Sequence, residues 1–246
     1  MESLRAHGRA YRPTHVINCA AYTAVDRAEE EPEQAFAVNA EGAENVGRTA
    51  LELGARLLHL STDDVFGGYL DRPFREDDPC RPIGVYGRSK REGEERLLDV
   101  FPRACIVRTS WIFGPGGKNF LSSLPFLLRT QEEVRATAEQ VRRATYVRDL
   151  AAAVLDLLCH TGVYHVASHG ETTRYHMAVA LLRAVEKEQL PVVCRRIVAA
   201  SVRDFPKTAP RSDYSVLDTR KAEGVLGKTL GRWQDRLKEY MTQCAF

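Results

Sequence analysis

Apolar positions along this chain follow two rhythms, and their alternation predicts most of the elements. From His15 to Tyr22 the run HVINCAAY is nearly continuous, as expected for a strand buried on both faces of a parallel sheet. Phe36, Ala40, Ala43, Val46, Ala50 and Leu53 then recur at three- and four-residue spacing and stop at Gly54, which predicts one helix with a glycine at its carboxyl end. ARLLHLST (55–62) reads as the next strand. After a Pro- and Asp-rich loop (71–82) come a helix from about Val85 to Leu98 and the apolar run Ala104–Phe113. Further on, the pattern predicts a helix at Leu150–Leu158 and a strand at Val163–Ala167. A helix at Tyr175–Lys187, a short strand near Val192–Val198 and a last helix at Trp233–Met241 complete the chain.

Alternating strands and helices imply right-handed βαβ crossovers, so the fold class is α/β: a Rossmann-like, doubly wound parallel sheet with a small C-terminal lobe. Residues 1–150 are assigned to a partial dinucleotide-binding domain, and 151–246 mainly to a substrate-binding lobe interleaved with it. On such sheets ligands bind beyond the carboxyl ends of the strands, which directs attention to Ala20–Thr23, Ser61–Val65 and Thr109–Gly114.

Composition narrows the field. The chain has 246 residues, 44% of them hydrophobic, and a formal charge of +2, with no long charged block that would call for nucleic acid or a membrane surface. Residues 1–13 are polar and no apolar run has spanning length, so a cytoplasmic location is expected. Cys19, Cys80, Cys105, Cys159, Cys194 and Cys244 are scattered and form no C-x-x-C pair, which argues against a disulfide framework or a cysteine metal site.

Candidate chemistry centres on Tyr86-Gly-Arg-Ser-Lys90. A Tyr and a Lys four residues apart on a helix share a face, and an ammonium beside a phenol lowers a pKa that ordinarily lies near ~10. Such a pair can donate a proton to a carbonyl, although a solvated helix face shows the same spacing by chance. Ser61, Thr62 and Asp63 stand at a strand's carboxyl end, where the Thr62 hydroxyl can bond a substrate oxygen or where the three residues simply form a turn.

With these residues stand the stretches VINCAAYTAVDRAEEEPEQAFAVNAEGAENV, STDDVFGG, PFREDD, VYGRSKREGE, RTSWIFGPGGKNF, QVRRATYVRDLA and YSVLDTRK. In order and spacing the chain resembles the dTDP-4-dehydrorhamnose reductase family of extended short-chain dehydrogenases over nearly its whole length. The resemblance implies NAD(P)H-dependent reduction of the C4 carbonyl of dTDP-4-dehydro-6-deoxy-L-mannose to dTDP-L-rhamnose, by a catalytic trio of Thr62, Tyr86 and Lys90. It further implies cofactor contacts (NADP(H) or NAD(H)) from Ala20, Ala21, Tyr22, Tyr86 and Lys90, and nucleotide-sugar contacts from Thr23, Thr62, Asp63 and Trp111. A packed loop aromatic is an equal reading of Trp111. No metal is implied, and a homodimer is the assembly to test for.

Departures from the family pattern are informative. STDYVFDG reads STDDVFGG here, so Asp64 replaces a Tyr and Gly67 an Asp. The D-Q-x-G-x-P-T loop reads Glu139–Thr145 without its Gly and Pro, and its Arg142 and Arg143 read as a solvated basic pair in preference to a pyrophosphate clamp. Gly114–Asn119 fails the spacing of either glycine-rich phosphate loop. His165 and His169 straddle a strand end, so both are assigned to the scaffold.

The family's glycine-rich loop does not appear. Residues 1–11 read as the helix that enters the fourth strand of the 3-2-1-4-5-6 order, with roughly 40 residues, somewhat more than one βαβ unit, expected ahead of it. A truncated reductase is the favoured reading over a degenerate one, and an exposed edge at the His15 strand with impaired cofactor binding is the expected consequence. Alternatives of the same fold are a non-catalytic subunit, like the methionine adenosyltransferase regulatory subunit, and a reductase or epimerase of another nucleotide sugar.

Overall fold

The computed structural model describes residues 2–205 and 209–243; Cys244 lies outside the described residues. Helix α1 (Glu2–Tyr11) leads into strand β1 (His15–Asn18), followed by two short helices, α2 (Val25–Ala28) and α3 (Pro32–Phe36). A π-helical turn (Ala37–Glu41) joins α3 to α4 (Gly42–Leu53), which stops at the left-handed Gly54 (φ 66°) as its sequence predicts. Strand β2 (Arg56–Thr62), helix α5 (Val85–Val100) and strand β3 (Cys105–Thr109) continue the alternation.

Beyond them lie β4 (Ile112–Phe113), α6 (Phe120–Thr130), β5 (Glu133–Thr137), β6 (Thr145–Tyr146), α7 (Val147–Leu157) and β7 (Gly162–His165). The last elements are α8 (Arg174–Lys187), β8 (Arg196–Ala200), α9 (Arg220–Leu226) and α10 (Trp233–Gln243). The main sheet is parallel, with the order β1-β2-β3-β7. Two small parallel pairs, β4-β6 and β5-β8, stand apart from it.

Helices cover both faces of the sheet, which is what doubly wound requires. Leu57 and Ile106 pack on Ala50, Leu97 and Phe101 from α4, α5 and the turn after α5. Their neighbours Leu58, Cys105 and Val107 point the other way, onto Leu150, Ala153, Val154 and Leu157 of α7 and Ala222 of α9. A separate core joins α6, α8 and α10 around Leu124, Leu128, Leu181 and Trp233 and forms the lobe. No helix among the described residues is long and apolar enough to cross a membrane.

Several boundaries differ from the sequence reading. The run from His15 does not form an eight-residue strand buried on both faces: β1 covers four residues at the sheet edge, with His15 and Ile17 exposed. Pairing with a single neighbour leaves half its surface uncovered, and the small residues after it bend away across the strand ends. The single helix expected from Phe36 begins earlier, with Pro32 in its first turn, and carries the π turn that buries Asn39. Asn39 ties down the loop after β1, accepting from the Tyr22 N–H (2.8 Å) and donating to the Tyr22 carbonyl (3.1 Å).

The apolar run 104–113 breaks at Ser110–Trp111, where Trp111 takes a positive φ of 37° and redirects the chain from the main sheet into β4. The short strand expected near Val192–Val198 lies at Arg196–Ala200, paired with β5. That partner, together with α6 and α9, lacked a sufficiently clear periodicity.

Candidate functional site

Three segments converge on the carboxyl ends of the parallel strands: the loop after β1, the end of β2 and the start of α5. Their convergence depends on close backbone approach. A Cβ at Gly87 would lie 2.2 Å from the Asp64 carbonyl oxygen, and one at Gly93 would lie 2.1 Å from that of Asn39. Glycine at both positions lets α5 press against the strand end and the π turn, which brings Tyr86 to Thr62.

A cavity of about 370 Å³ opens there, lined by Thr23, Thr62, Asp63, Asp64, Tyr86, Trp111, Lys118 and Arg174 among others. The Thr62 hydroxyl lines it beside the Tyr86 phenol. It also accepts from the Asp64 N–H (3.2 Å), the capping bond of a short 3-10 turn at Asp63–Val65. The phenol is held above its ordinary value, first by burial and then by Asp64, with Asp63 adding to the effect and Thr62 acting against it.

Lys90 shares the face of Tyr86 but is buried beneath the cavity, 1% exposed. Its Nζ donates to the Leu60 carbonyl (2.7 Å) and lies 3.1 Å from His59 Nε2. Burial pushes Lys90 down to about 8, against the opposing fields of Glu94 and Cys19. The expected lowering of the Tyr86 pKa by Lys90 is therefore not what this geometry gives: the Lys90 nitrogen is engaged by Leu60, and desolvation governs the phenol.

The other candidates divide. Thr23, Thr62, Asp63, Tyr86 and Trp111 meet at the cavity, whereas Ala20, Ala21 and Tyr22 form the open backbone stretch beside it. The Tyr22 hydroxyl turns away and donates to Glu31 (2.5 Å). Trp111 has one face toward the cavity and cations on its ring, Arg174 at 5.4 Å and Arg142 at 5.9 Å from the centroid.

Asp63 borders the cavity, but its carboxylate is engaged elsewhere. It pairs with Arg142 (2.8 Å) and accepts from the Ser215 hydroxyl. Burial raises Asp63 to about 6, Asp64 adds to this and Arg142 opposes it. Arg142 is thus no solvated cation. It is 2% exposed and also donates to the Ser212 carbonyl (2.7 Å), fastening the lobe to the end of β2. Arg143 donates to Thr219 (3.0 Å).

His165 is buried, with Nδ1 3.1 Å from the Phe74 carbonyl oxygen, and His169 pairs with Glu223 (2.7 Å). Among the described residues no cluster of His, Cys, Asp and Glu could hold a metal ion.

Two cations were missed. Lys118, in the run that fails the phosphate-loop spacing, reaches the cavity wall just before α6, whose Asn119 caps the helix by accepting from Ser122 N–H (3.0 Å). Arg174 opens α8 and stacks on Trp111 and Phe120. Its guanidinium is held below its usual range by burial, then by the nearby Arg211 and Arg142. Only the asparagine after Lys118 and the Thr-Thr before Arg174, both helix-start signals, mark these positions in the sequence.

A parallel sheet with a Thr–Tyr–Lys cluster at its carboxyl end defines a nucleotide-dependent reductase of the Rossmann class. The family model described as RmlD substrate binding domain matches residues 1–246. The dTDP-4-dehydrorhamnose reductase of Mycobacterium tuberculosis is 41% identical over 214 residues, covering 84% of this chain and 69% of the relative. The spore coat polysaccharide biosynthesis protein SpsK of Bacillus subtilis is 37% identical over 234 residues, covering 95% and 80%. Among solved structures, the dTDP-4-dehydrorhamnose reductase of Clostridium acetobutylicum superposes with a TM-score of 0.92 at 33% identity, covering 98% of this chain and 85% of that one. That of Bacillus anthracis, in complex with NADP, gives 0.91 at 30%, covering 99% and 85%. The chain belongs to the dTDP-4-dehydrorhamnose reductase family.

Proposed function

We propose that this chain reduces the C4 carbonyl of dTDP-4-dehydro-6-deoxy-L-mannose to give dTDP-L-rhamnose, with Thr62, Tyr86 and Lys90 as its catalytic residues. The observation that carries this is that Thr62 and Tyr86 open together into one cavity with Lys90 behind them. Relatives bearing the name of this activity, and one solved with NADP, support it.

The residues present suit a nicotinamide cofactor. Ala20 and Ala21 carry no side chain beyond Cβ, so the backbone beside the cavity can be approached closely, and Tyr86 and Lys90 lie at its end. When bound, NAD(P)H supplies the hydride. Tyr86 donates its proton to the C4 oxygen as negative charge builds there, and a phenol kept protonated by burial is in the right state to do so. Thr62 offers that oxygen a hydrogen bond, and Trp111, Lys118 and Arg174 line the side that receives the anionic nucleotide. The sheet serves the cofactor and the lobe serves the sugar nucleotide, with β7 returning the chain to the sheet after residue 150.

Tyr86→Phe tests this directly. It should lower turnover of NADPH with the 4-keto sugar nucleotide by about 10²-fold or more while leaving thermal unfolding unchanged, since only the proton donor is lost. Turnover retained in Tyr86→Phe would overturn the assignment.

A further inference from the structure

His59 is fully enclosed, its register neighbours being Asn18 on β1 and Ile106 on β3, and the mechanism above leaves it without a role. The charged groups facing it are Lys90 and Glu94, both from α5. Its two nitrogens form a short chain of contacts: Nδ1 lies 2.9 Å from Asn18 Nδ2, and Nε2 lies 3.1 Å from Lys90 Nζ.

Donor and acceptor counting fixes the protons in this chain. The Ala20 N–H (3.1 Å) needs an acceptor and finds Asn18 Oδ1, so the amide nitrogen of Asn18 must face His59. An amide N–H₂ only donates, and Nδ1 must therefore accept. Desolvation holds His59 far below its ordinary value, with the field of Lys90 adding to it whenever that side chain is charged, so the ring is neutral and its single proton sits on Nε2. That N–H points at Lys90 Nζ, which can accept it only as the free amine, while still donating to the Leu60 carbonyl.

We propose that Asn18, acting through the tautomer of His59, controls whether Lys90 carries its proton, which makes Asn18 and His59 positioning residues for the proton-transfer site. This rests on the role given above to Tyr86 and Lys90. The amine form of Lys90 fits the network as it stands. The ammonium form has to turn His59 to its Nδ1–H tautomer, and Nδ1–H then meets an Asn18 amide nitrogen that cannot accept it. Asn18 thus withholds an acceptor from the charged state. Glu94 and Cys19 pull in the opposite direction, toward the ammonium, and the balance places Lys90 where modest changes in its surroundings alter its charge.

Nitrogen-15 spectra of the histidine side chains in the full chain read the tautomer, with His59 assigned by its loss in His59→Gln. Above the Lys90 midpoint, His59 should show Nε2–H; an Nδ1–H tautomer there would overturn the proposal. In Asn18→Asp the carboxylate accepts from Nδ1–H, so His59 should switch tautomer. The Lys90 midpoint, followed by its Cε carbon shift without substrate, should then rise by ~1 unit or more.

The alkaline limb of kcat for carbonyl reduction should move with it. An unchanged midpoint in Asn18→Asp would equally sink the proposal, and if that variant does not fold, the tautomer in the unchanged chain decides alone. A midpoint that moves while the limb stays would leave the control of Lys90 standing and count against its part in the reaction.

Discussion

Asp64 shows how one residue can be plain in the sequence and still depend on its surroundings for meaning. Its departure from the family's tyrosine is visible without coordinates, but only the fold shows that it lines the cavity and sits close enough to raise Tyr86. A carboxylate near a nucleotide diphosphate is unfavourable, by roughly 1 kcal/mol per charge pair at ~4 Å in water. Asp64→Tyr should therefore tighten binding of the dTDP sugar by about fivefold. Weaker binding by titration calorimetry would mean that the carboxylate serves the ligand directly. Arg142 is the opposite case: as one of two adjacent arginines it reads as solvated, yet it is buried because Asp63 and Ser212 meet it from distant parts of the chain.

At the scale of elements, the contact between α5 and the π turn decides where Tyr86 stands. The extra residue in the π turn buries Asn39, whose side chain holds the Tyr22 backbone and donates to the Ser89 hydroxyl (2.9 Å). Gly93 is the point of closest approach, and a methyl there would meet backbone rather than a flexible side chain. Gly93→Ala should cost about 1–3 kcal/mol of stability, as overpacking commonly does. Because the displaced Asn39 also anchors the loop after β1, cofactor affinity should fall as well. Denaturant unfolding together with fluorescence titration of NADPH checks both parts; an unchanged midpoint would show that the helices can separate without strain.

For the molecule as a whole, buried titratable groups set the response to acid. His59 and His165 are each held down to about 3 in the folded state, His59 by burial and Lys90, His165 by burial and Arg108. An unfolded histidine takes up its proton near ~6.5, so below that pH the unfolded chain binds protons that the folded chain refuses. The imidazole contribution is therefore complete above about 6.5 and is lost as pH falls, by up to about 1.4 kcal/mol per unit for each ring. Asp63 has the opposite sign: its pKa, raised to about 6, makes the folded state gain as the carboxyl protonates between its ordinary value and about 6. Two imidazoles outweigh one carboxyl, so thermal midpoints should fall as pH drops from 7 toward 4.5, the ordinary value of Glu94. Below that, protonation of Glu94, held down to about 2 by Arg108 despite its burial, should steepen the loss. His165→Gln should flatten the upper part of the curve; an equally steep curve would assign the acid response elsewhere.

The sequence by itself determined the alternation of strands and helices, the Tyr86–Lys90 spacing and the strand end at Thr62. All three depend on local periodicity or on a few adjacent side chains. It equally carried the motifs that mark the family. Only the tertiary structure decided that β1 stops after four residues, that the run 104–113 is cut at Trp111, and that β5 and β8 pair across more than fifty intervening residues. Likewise Asp63 faces Arg142, Lys118 and Arg174 reach the cavity, and Asn18 meets His59 only because parallel strands are set in register. The physical reason is common to these cases. Whether a charge is solvated or paired, and which nitrogen of an imidazole holds its proton, depends on groups brought close by packing, and the order of residues along the chain carries no record of that distance.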